Sequence, residues 1–328
     1  MGWGFFADVT GGNDLKIRKR RPAEIVQEAA RCSLLLQAGA MCSLLRPRQW
    51  TKNLFLLAGL VFSGNLFCLP LFGRAVLALI AFCLLSGAVY IINDIVDIEE
   101  DRRHARKRRR PLAAGRVQVG PARVVFLLLL AVSFSLALVL GRYFLLVAAL
   151  YFLLVTGYSL YFKHIVILDV FAVAGGFLLR VVAGGVAVGV RISPWLLICT
   201  LLLALFLALT KRRQEYIVLG AGGKEHRRVL ADYTVSYLDQ LIAVVTAATI
   251  MAYSLYTFTA SPTQDLMLTI PFVIYGIFRY LFLVHQKALG GSPEEVLLQD
   301  RPLGVSILLW ALACVFLLYA RPGLIIPL

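Results

Sequence analysis

Nine apolar stretches of about twenty residues, the length that crosses a hydrocarbon core, are spaced along the chain by charged segments. They fall near 53–70, 72–95, 121–140, 143–162, 166–189, 194–211, 238–260, 267–286 and 303–320. Long apolar runs of this kind predict an all-α integral membrane protein, a bundle of nine transmembrane helices. Residues 1–44 read as a lead on the membrane surface, partly amphipathic, with a basic cluster of Lys16, Arg18, Lys19, Arg20 and Arg21. Residues 45–328 read as one transmembrane domain, and the N-terminus shows no signal-peptide pattern.

The polar positions between the runs fix an orientation. With the N-terminus inside, 27 of the 33 Lys and Arg fall in the lead and in the loops after the second, fourth, sixth and eighth spans. Arg74, Arg142, Arg191 and Arg321 fall on the other side, and Arg180 and Arg279 lie within spans. Basic loops stay in the cytosol, so the expected placement is a multi-pass protein of the plasma membrane with its charged loops cytosolic. The charged loops are long and the opposite ones are tight turns such as Gly141-Arg142. A site built at the cytosolic face accounts for that asymmetry.

Composition agrees. The chain is 60% hydrophobic over 328 residues, above the half expected of a soluble domain. The net charge of +15 suggests a nucleic-acid partner until the bases are located; their place in short loops makes membrane lipids and anionic substrates the partners instead, with no nucleic acid. The six cysteines are scattered, with no paired spacing, and read as small core residues. Gly220-Ala221-Gly222-Gly223-Lys224 lacks the spacing and the strand of a P-loop and reads as a turn. The sequence leaves oligomeric state open, a homo-oligomer included.

The candidate chemistry begins where the second span opens into Asn93-Asp94-Ile95-Val96-Asp97-Ile98-Glu99-Glu100-Asp101. On a continuing helix Asn93, Asp94, Asp97 and Asp101 share an arc of roughly 100°. Carboxylates crowded on one face repel unless a cation lies among them. Hard oxygen donors without Cys or His suit Mg²⁺, which takes one or two carboxylates plus a substrate's phosphates. Asp94, Asp97 and Asp101 are therefore the candidate metal ligands, and Asn93, Asp94 and Asp97 the candidate catalytic residues. A solvated helix end is the plain alternative.

Candidate substrate-binding residues share that end: Lys52 and Asn53 before the first span, Arg102, Lys107 and Arg110 after the acids, and Lys211, Arg212 and Glu215 closing the sixth span, with Arg180 of the fifth span as a further candidate. Arg180 and Arg279, deep in apolar helices, are expected to pair with a carboxylate or a lipid phosphate, because an unpaired cation there is costly. A divalent metal, cationic arms and a lipid-accessible bundle suit a diphosphate leaving group. A transporter or lipid-binding membrane protein whose acids form a cation site is the alternative class, but a transporter would place ionisable residues near mid-membrane on broken helices.

Asn-Asp-x-x-Asp-x-x-x-Asp at 93–101 resembles the first aspartate-rich motif of the UbiA-type intramembrane prenyltransferase superfamily. Where those proteins carry a second such motif, after the sixth helix, this chain has Lys211-Arg212-Arg213-x-Glu215. That run, with Arg46-Pro-Arg-Gln-Trp50-x-Lys52-Asn53, Asp101-Arg-x-His104-x-x-Lys107-Arg-x-Arg110-Pro-x-Ala-Ala-Gly115, Tyr233-Thr-x-x-Tyr237-Leu, Arg279-Tyr280 and Gly291-x-Pro-Glu294, is similar to the decaprenyl-phosphate phosphoribosyltransferase branch. The resemblance covers about 44–305. It implies a UbiA-like bundle with a cytosolic-side cavity, Mg²⁺, and transfer of a 5-phosphoribosyl group from phosphoribosyl diphosphate (PRPP) to a polyprenyl phosphate, in cell-wall precursor synthesis. Prenyl transfer from a prenyl diphosphate to an aromatic or lipid acceptor is the runner-up.

Overall fold

The computed structural model describes residues 39–103, 107–219, 232–259, 264–287, 291, 296 and 299–319. Most of the expected surface lead, the 220–224 turn, His104, Pro293-Glu294 and Arg321 lie outside them. Every regular element among the described residues is helical.

A 3-10 helix, Pro47–Leu57, runs into a short helix α1, Ala58–Phe62, and the pair is called the first element here. There follow α2 (Leu69–Val96), a six-residue helix Ile98–Arg103, α3 (Val119–Leu140), α4 (Arg142–Leu160), α5 (Leu168–Val188) and α6 (Pro194–Leu219). Then come α7 (Val235–Thr259), α8 (Ile270–Gln286, led in by a 3-10 turn Gln264–Thr269) and α9 (Arg301–Tyr319). Eight of these, α2 to α9, are long and apolar enough to cross a membrane.

The first expected span is the departure. It starts at Pro47 rather than near 53, and ends at the turn Ser63-Gly64, where Gly64 takes φ 75°. Eleven 3-10 residues at ~2.0 Å and five α-helical ones at ~1.5 Å still reach about 30 Å, the thickness of a hydrocarbon core. The tighter helix lies where α5 approaches most closely. A Cβ on Gly184 would fall 1.8 Å from the Leu56 carbonyl oxygen, and one on Gly59 would fall 3.1 Å from the Gly185 backbone. Only hydrogen fits at Gly184. A Gly184→Ala protein is expected to lose on the order of 1–3 kcal/mol, as overpacked cores do, seen as earlier melting in detergent; wild-type melting would show that the seam has slack.

Two cores meet on α5. One packs α2, α3 and α4 around Phe82, Phe144 and Tyr151; the other packs α6, α7, α8 and α9 around Phe206, Leu238 and Tyr280. In α2 and α5 the most apolar 18-residue window is 61% buried, against 17% in α3 and α9. The first pair is therefore interior and the second faces lipid. Small residues on α5 (Ala172, Ala174, Ala183, Gly184, Ala187) permit neighbours on every side. Arg74, at the uncharged end, donates to the Ala187 carbonyl at 2.7 Å and to that of Leu140 at 3.2 Å. One cation thus satisfies the last turns of both α5 and α3, where the helix dipole favours it.

Candidate active site

At the charged end the first element, α2, α4, α5 and α6 enclose an open cavity of about 1770 Å³. Its depth is apolar, with Phe55, Val89, Phe177 and Leu207, and its mouth is polar. Of the residues singled out in the sequence, Lys52, Asn93, Asp97, Lys107, Arg110, Arg180, Lys211 and Arg212 line it. Asn53, Asp94, Asp101, Arg102 and Glu215 do not.

The acidic run is nearly one helix. Asp97 breaks it as the C-cap of α2, its N–H on the Asn93 carbonyl at 2.9 Å, and Asp101 restarts the ladder on Asp97 at 2.8 Å. The crowded charges are neutralised by the chain's own bases. Arg46 and Arg110 both donate to Asp94 Oδ1, Arg110 at 3.1 Å, and the same Arg110 Nη1 reaches Asp101 Oδ2 at 2.5 Å. Arg46 also lies 5.0 Å from the Tyr90 ring centroid. Asp97 is held by Lys163, from the α4–α5 connection, at 2.7 Å. Asp94 and Asp101 therefore sit behind the wall as ion-pair partners, while Asn93 and Asp97 face the cavity. Arg102 points out to solvent and pairs with Glu99 at 2.7 Å.

The end of α6 is equally ordered. The Arg212 Nε donates to Asp169 Oδ2 at 2.6 Å, Nη1 to Glu215 Oε2 at 2.5 Å and Nη2 to the Tyr158 hydroxyl at 3.1 Å. The second oxygen of Asp169 accepts from the Tyr233 hydroxyl at 2.9 Å, and that hydroxyl accepts from the Ile167 N–H at 2.8 Å. Asp169 is fully buried and Arg212 3% exposed. With all three nitrogens engaged, Arg212 braces the wall it lines, and the second α6 base at the cavity is Lys211, close enough to Glu215 and Lys52 to feel both charges. Arg213 turns away, to Asp239 of α7 at 2.6 Å.

Of the two intramembrane arginines, Arg279 follows the expected pairing. It grips Asp300 through Nε at 3.1 Å and Nη2 at 2.7 Å, while Asp300 caps α9 through the Leu303 N–H at 2.9 Å. The Arg279 guanidinium holds the Asp300 carboxyl below its usual range. A depressed carboxylate stabilises the fold above the unfolded value, ~3.9, and loses that contribution as pH falls through the folded one, so the clasp is charged at neutral pH. Arg180 departs from expectation. Its Nε donates to Asn53 Oδ1 at 2.8 Å and its Nη2 to the Tyr151 hydroxyl at 2.6 Å, neither of them an anion. Asn53 is wholly buried and gives its amide to Cys83 Sγ and Ser86 Oγ.

Sequence reasoning passed over Lys163, Asp169 and Tyr158. A base in the short link between two apolar spans at the acid-rich end, and an acid six residues on in the first turn of the next span, were the available signal. Burial also pushes the Tyr233 phenol up, which keeps it a neutral donor to Asp169.

For a divalent ion the donor chemistry is suitable. Asn93 and Asp97 present hard oxygens to the cavity, and Mg²⁺ needs only one or two carboxylates when phosphates supply the rest. Among the described residues no three Asp, Glu, His or Cys stand grouped as a ready ligand set, so water or substrate oxygens would complete any coordination shell.

The arrangement has solved counterparts in fold. A UbiA homolog from Archaeoglobus fulgidus, solved bound to GPP and Mg²⁺, superposes with TM-score 0.66 at 21% identity, over 86% of this chain and 99% of that one. Decaprenyl-phosphate phosphoribosyltransferase of Corynebacterium glutamicum is 35% identical over 87% of this chain and 88% of its own length. Its namesake in Mycolicibacterium smegmatis is 35% identical over 81% and 88%. The profile of the UbiA prenyltransferase family matches residues 53–290. This multi-pass membrane protein belongs to the UbiA prenyltransferase family.

Proposed function

We propose that the protein is a glycosyltransferase that moves a 5-phosphoribosyl group from PRPP to a polyprenyl phosphate of the decaprenyl type, releasing diphosphate into the cytosol. The product would feed lipid-linked arabinose donors for the cell wall. The observation that carries the reading is the α6 side of the cavity, where the polar lining among the described residues is Lys211 and Arg212 and no carboxylate. A prenyl diphosphate has one anionic end, whereas PRPP has two, separated by a ribose. One acidic rim and one cationic wall match the second shape. The two 35%-identical relatives carry that activity in their names.

In this reading the diphosphate lies at the rim. Asp97 and Asn93 would hold Mg²⁺, joined by Asp94 only where diphosphate takes over part of its arginine pairing, and the metal's contribution when bound is to withdraw charge from the leaving group. Arg46, Arg110 and Lys163, already at the acids, exchange part of that pairing for diphosphate oxygens. Lys52, Lys107 and Lys211 take the remaining phosphate charge, and Glu215 orients Lys211 from behind. As the bond from the anomeric carbon to the diphosphate oxygen breaks, positive charge develops on the ribose. An acceptor phosphate oxygen, already anionic at neutral pH, forms the new bond there. No proton has to be removed, so no general base is required.

The test is label transfer. Purified protein with Mg²⁺ and polyprenyl phosphate is given ribose-labelled PRPP or labelled prenyl diphosphate. Ribose label in the lipid phase is expected, and prenyl label instead would make the protein a prenyltransferase of the commoner kind.

A further inference from the structure

Arg180 differs from four other bases of the cavity. Arg46, Arg110, Lys163 and Arg212 each hold a carboxylate, whereas Arg180, 6% exposed, holds an amide and a phenol. It lies about 18 Å along α5 from Leu168 at ~1.5 Å per residue, and its side chain leans back toward the charged end, as helical side chains do. That places the guanidinium at the floor of the cavity it lines, beneath apolar walls. Rings help it there: its central carbon is 4.8 Å from the Tyr151 centroid and 5.2 Å from that of Phe177. Amide, phenol and ring faces solvate a cation but leave its charge uncompensated. Intramembrane cations facing a cavity mark substrate paths for that reason.

Among the described residues one nitrogen is left over. With Nε on Asn53 and Nη2 on Tyr151, Nη1 faces Gly176, another lining residue, where the missing side chain keeps the approach open. We propose that Arg180 receives, through Nη1, an oxygen of a phosphomonoester at the cavity floor, and thereby selects the substrate that carries that phosphate over one with an apolar tail in that position. The inference rests on the phosphoribosyl-transfer reading above, in which two phosphomonoesters are available: the 5-phosphate of the donor and the phosphate of the acceptor. An apolar chain laid over the same nitrogen would bury a bare charge.

The experiment uses a methyl group. A Cβ at Gly176 would sit 3.5 Å from Nη1, 3.8 Å from Val155 Cγ2 and 3.9 Å from Tyr151 Cε2, all ordinary contacts. Gly176→Ala thus covers the nitrogen while both tethers of Arg180 stay, and Ala is the better helix former. Binding of ribose 5-phosphate and of geranyl phosphate is measured by calorimetry on the full-length wild type, Gly176→Ala and Arg180→Met in detergent, with melting temperatures recorded. The expected result is at least tenfold weaker binding of one phosphomonoester by both variants, with Gly176→Ala melting no earlier than wild type. The probe affected, sugar or prenyl, says which substrate's phosphate the floor holds. Unchanged affinity for both probes in Gly176→Ala overturns the proposal and leaves Arg180 as a tether between the first element and α4. Label transfer by the same preparations decides the function separately, since a wild type that binds ribose 5-phosphate but moves no ribose label defeats that reading alone.

Discussion

Asp97→Asn is expected to abolish turnover while the protein still inserts, purifies and melts like wild type. Of the acidic run, Asp97 and Glu100 line the cavity; Asp97 is the one beside Asn93, held by one lysine in the same open space. Neutralising it orphans nothing in the interior, because Lys163 keeps access to solvent. What is lost is the anion that would hold Mg²⁺ and, through it, the leaving diphosphate. Removing one transition-state contact of this kind costs at least ~100-fold in rate, and a metal ligand more, since the ion's whole contribution leaves with it. A chelator should do the same to wild type, with activity restored by Mg²⁺. Asp94→Asn is the less informative variant. It leaves Arg46 and Arg110 short of a buried partner, so lost activity would be mixed with lost stability. Full turnover by Asp97→Asn would reduce the acidic run to a charged helix end.

The second large effect separates neighbours. Lys211→Ala is expected to raise the Michaelis constant for PRPP with little change for polyprenyl phosphate, because one charge-assisted phosphate contact is worth about 1.5–3 kcal/mol, roughly 10- to 150-fold. Arg212→Ala should fail differently. It strands Asp169 and Glu215, the first fully buried, and removing one member of a buried ion pair costs about 3–5 kcal/mol. The expected outcome is poor expression and early melting, with Asp169→Asn milder because Tyr233 still bonds the side chain. Kinetics and melting curves on both variants check this. A stable Arg212→Ala protein with a raised donor constant would move Arg212 from the frame into the phosphate site. If Lys211→Ala keeps the wild-type donor constant, Lys211 is only a topology signal and the prenyl-diphosphate alternative regains ground.

The helices were legible because a membrane span writes itself in about twenty apolar residues. Eight of nine expected spans correspond to long helices within a few residues at most ends. The ninth was misjudged because Arg46 to Lys52 read as a flank, and a 3-10 rise that lets fewer apolar residues cross has no hydropathy signature. In the site, spacing located Asn93 and Asp97 but could not tell which acids would be consumed by bases. That depends on Arg46, Lys163 and Asp169, 48, 66 and 43 residues from the partners they hold. Arg212 looked as available as Lys211, its neighbour by one residue; both line the cavity, but a 100° turn of the helix ties Arg212 to Asp169.

Helix α5 carries Asp169, which anchors α6, Arg180 at the cavity floor, and Gly184, which seats the first element. All three depend on one rigid spacing along a single helix. Inserting or deleting one residue between 169 and 184 would rotate one end against the other by about 100°. Either the glycine seam or the α6 anchor would then face the wrong neighbour, and no side-chain substitution could restore both. Length change is tolerable in the loops and not here, so in any recombination or domain-grafting experiment α5 has to travel whole, together with the first element and α6 that are fitted to it.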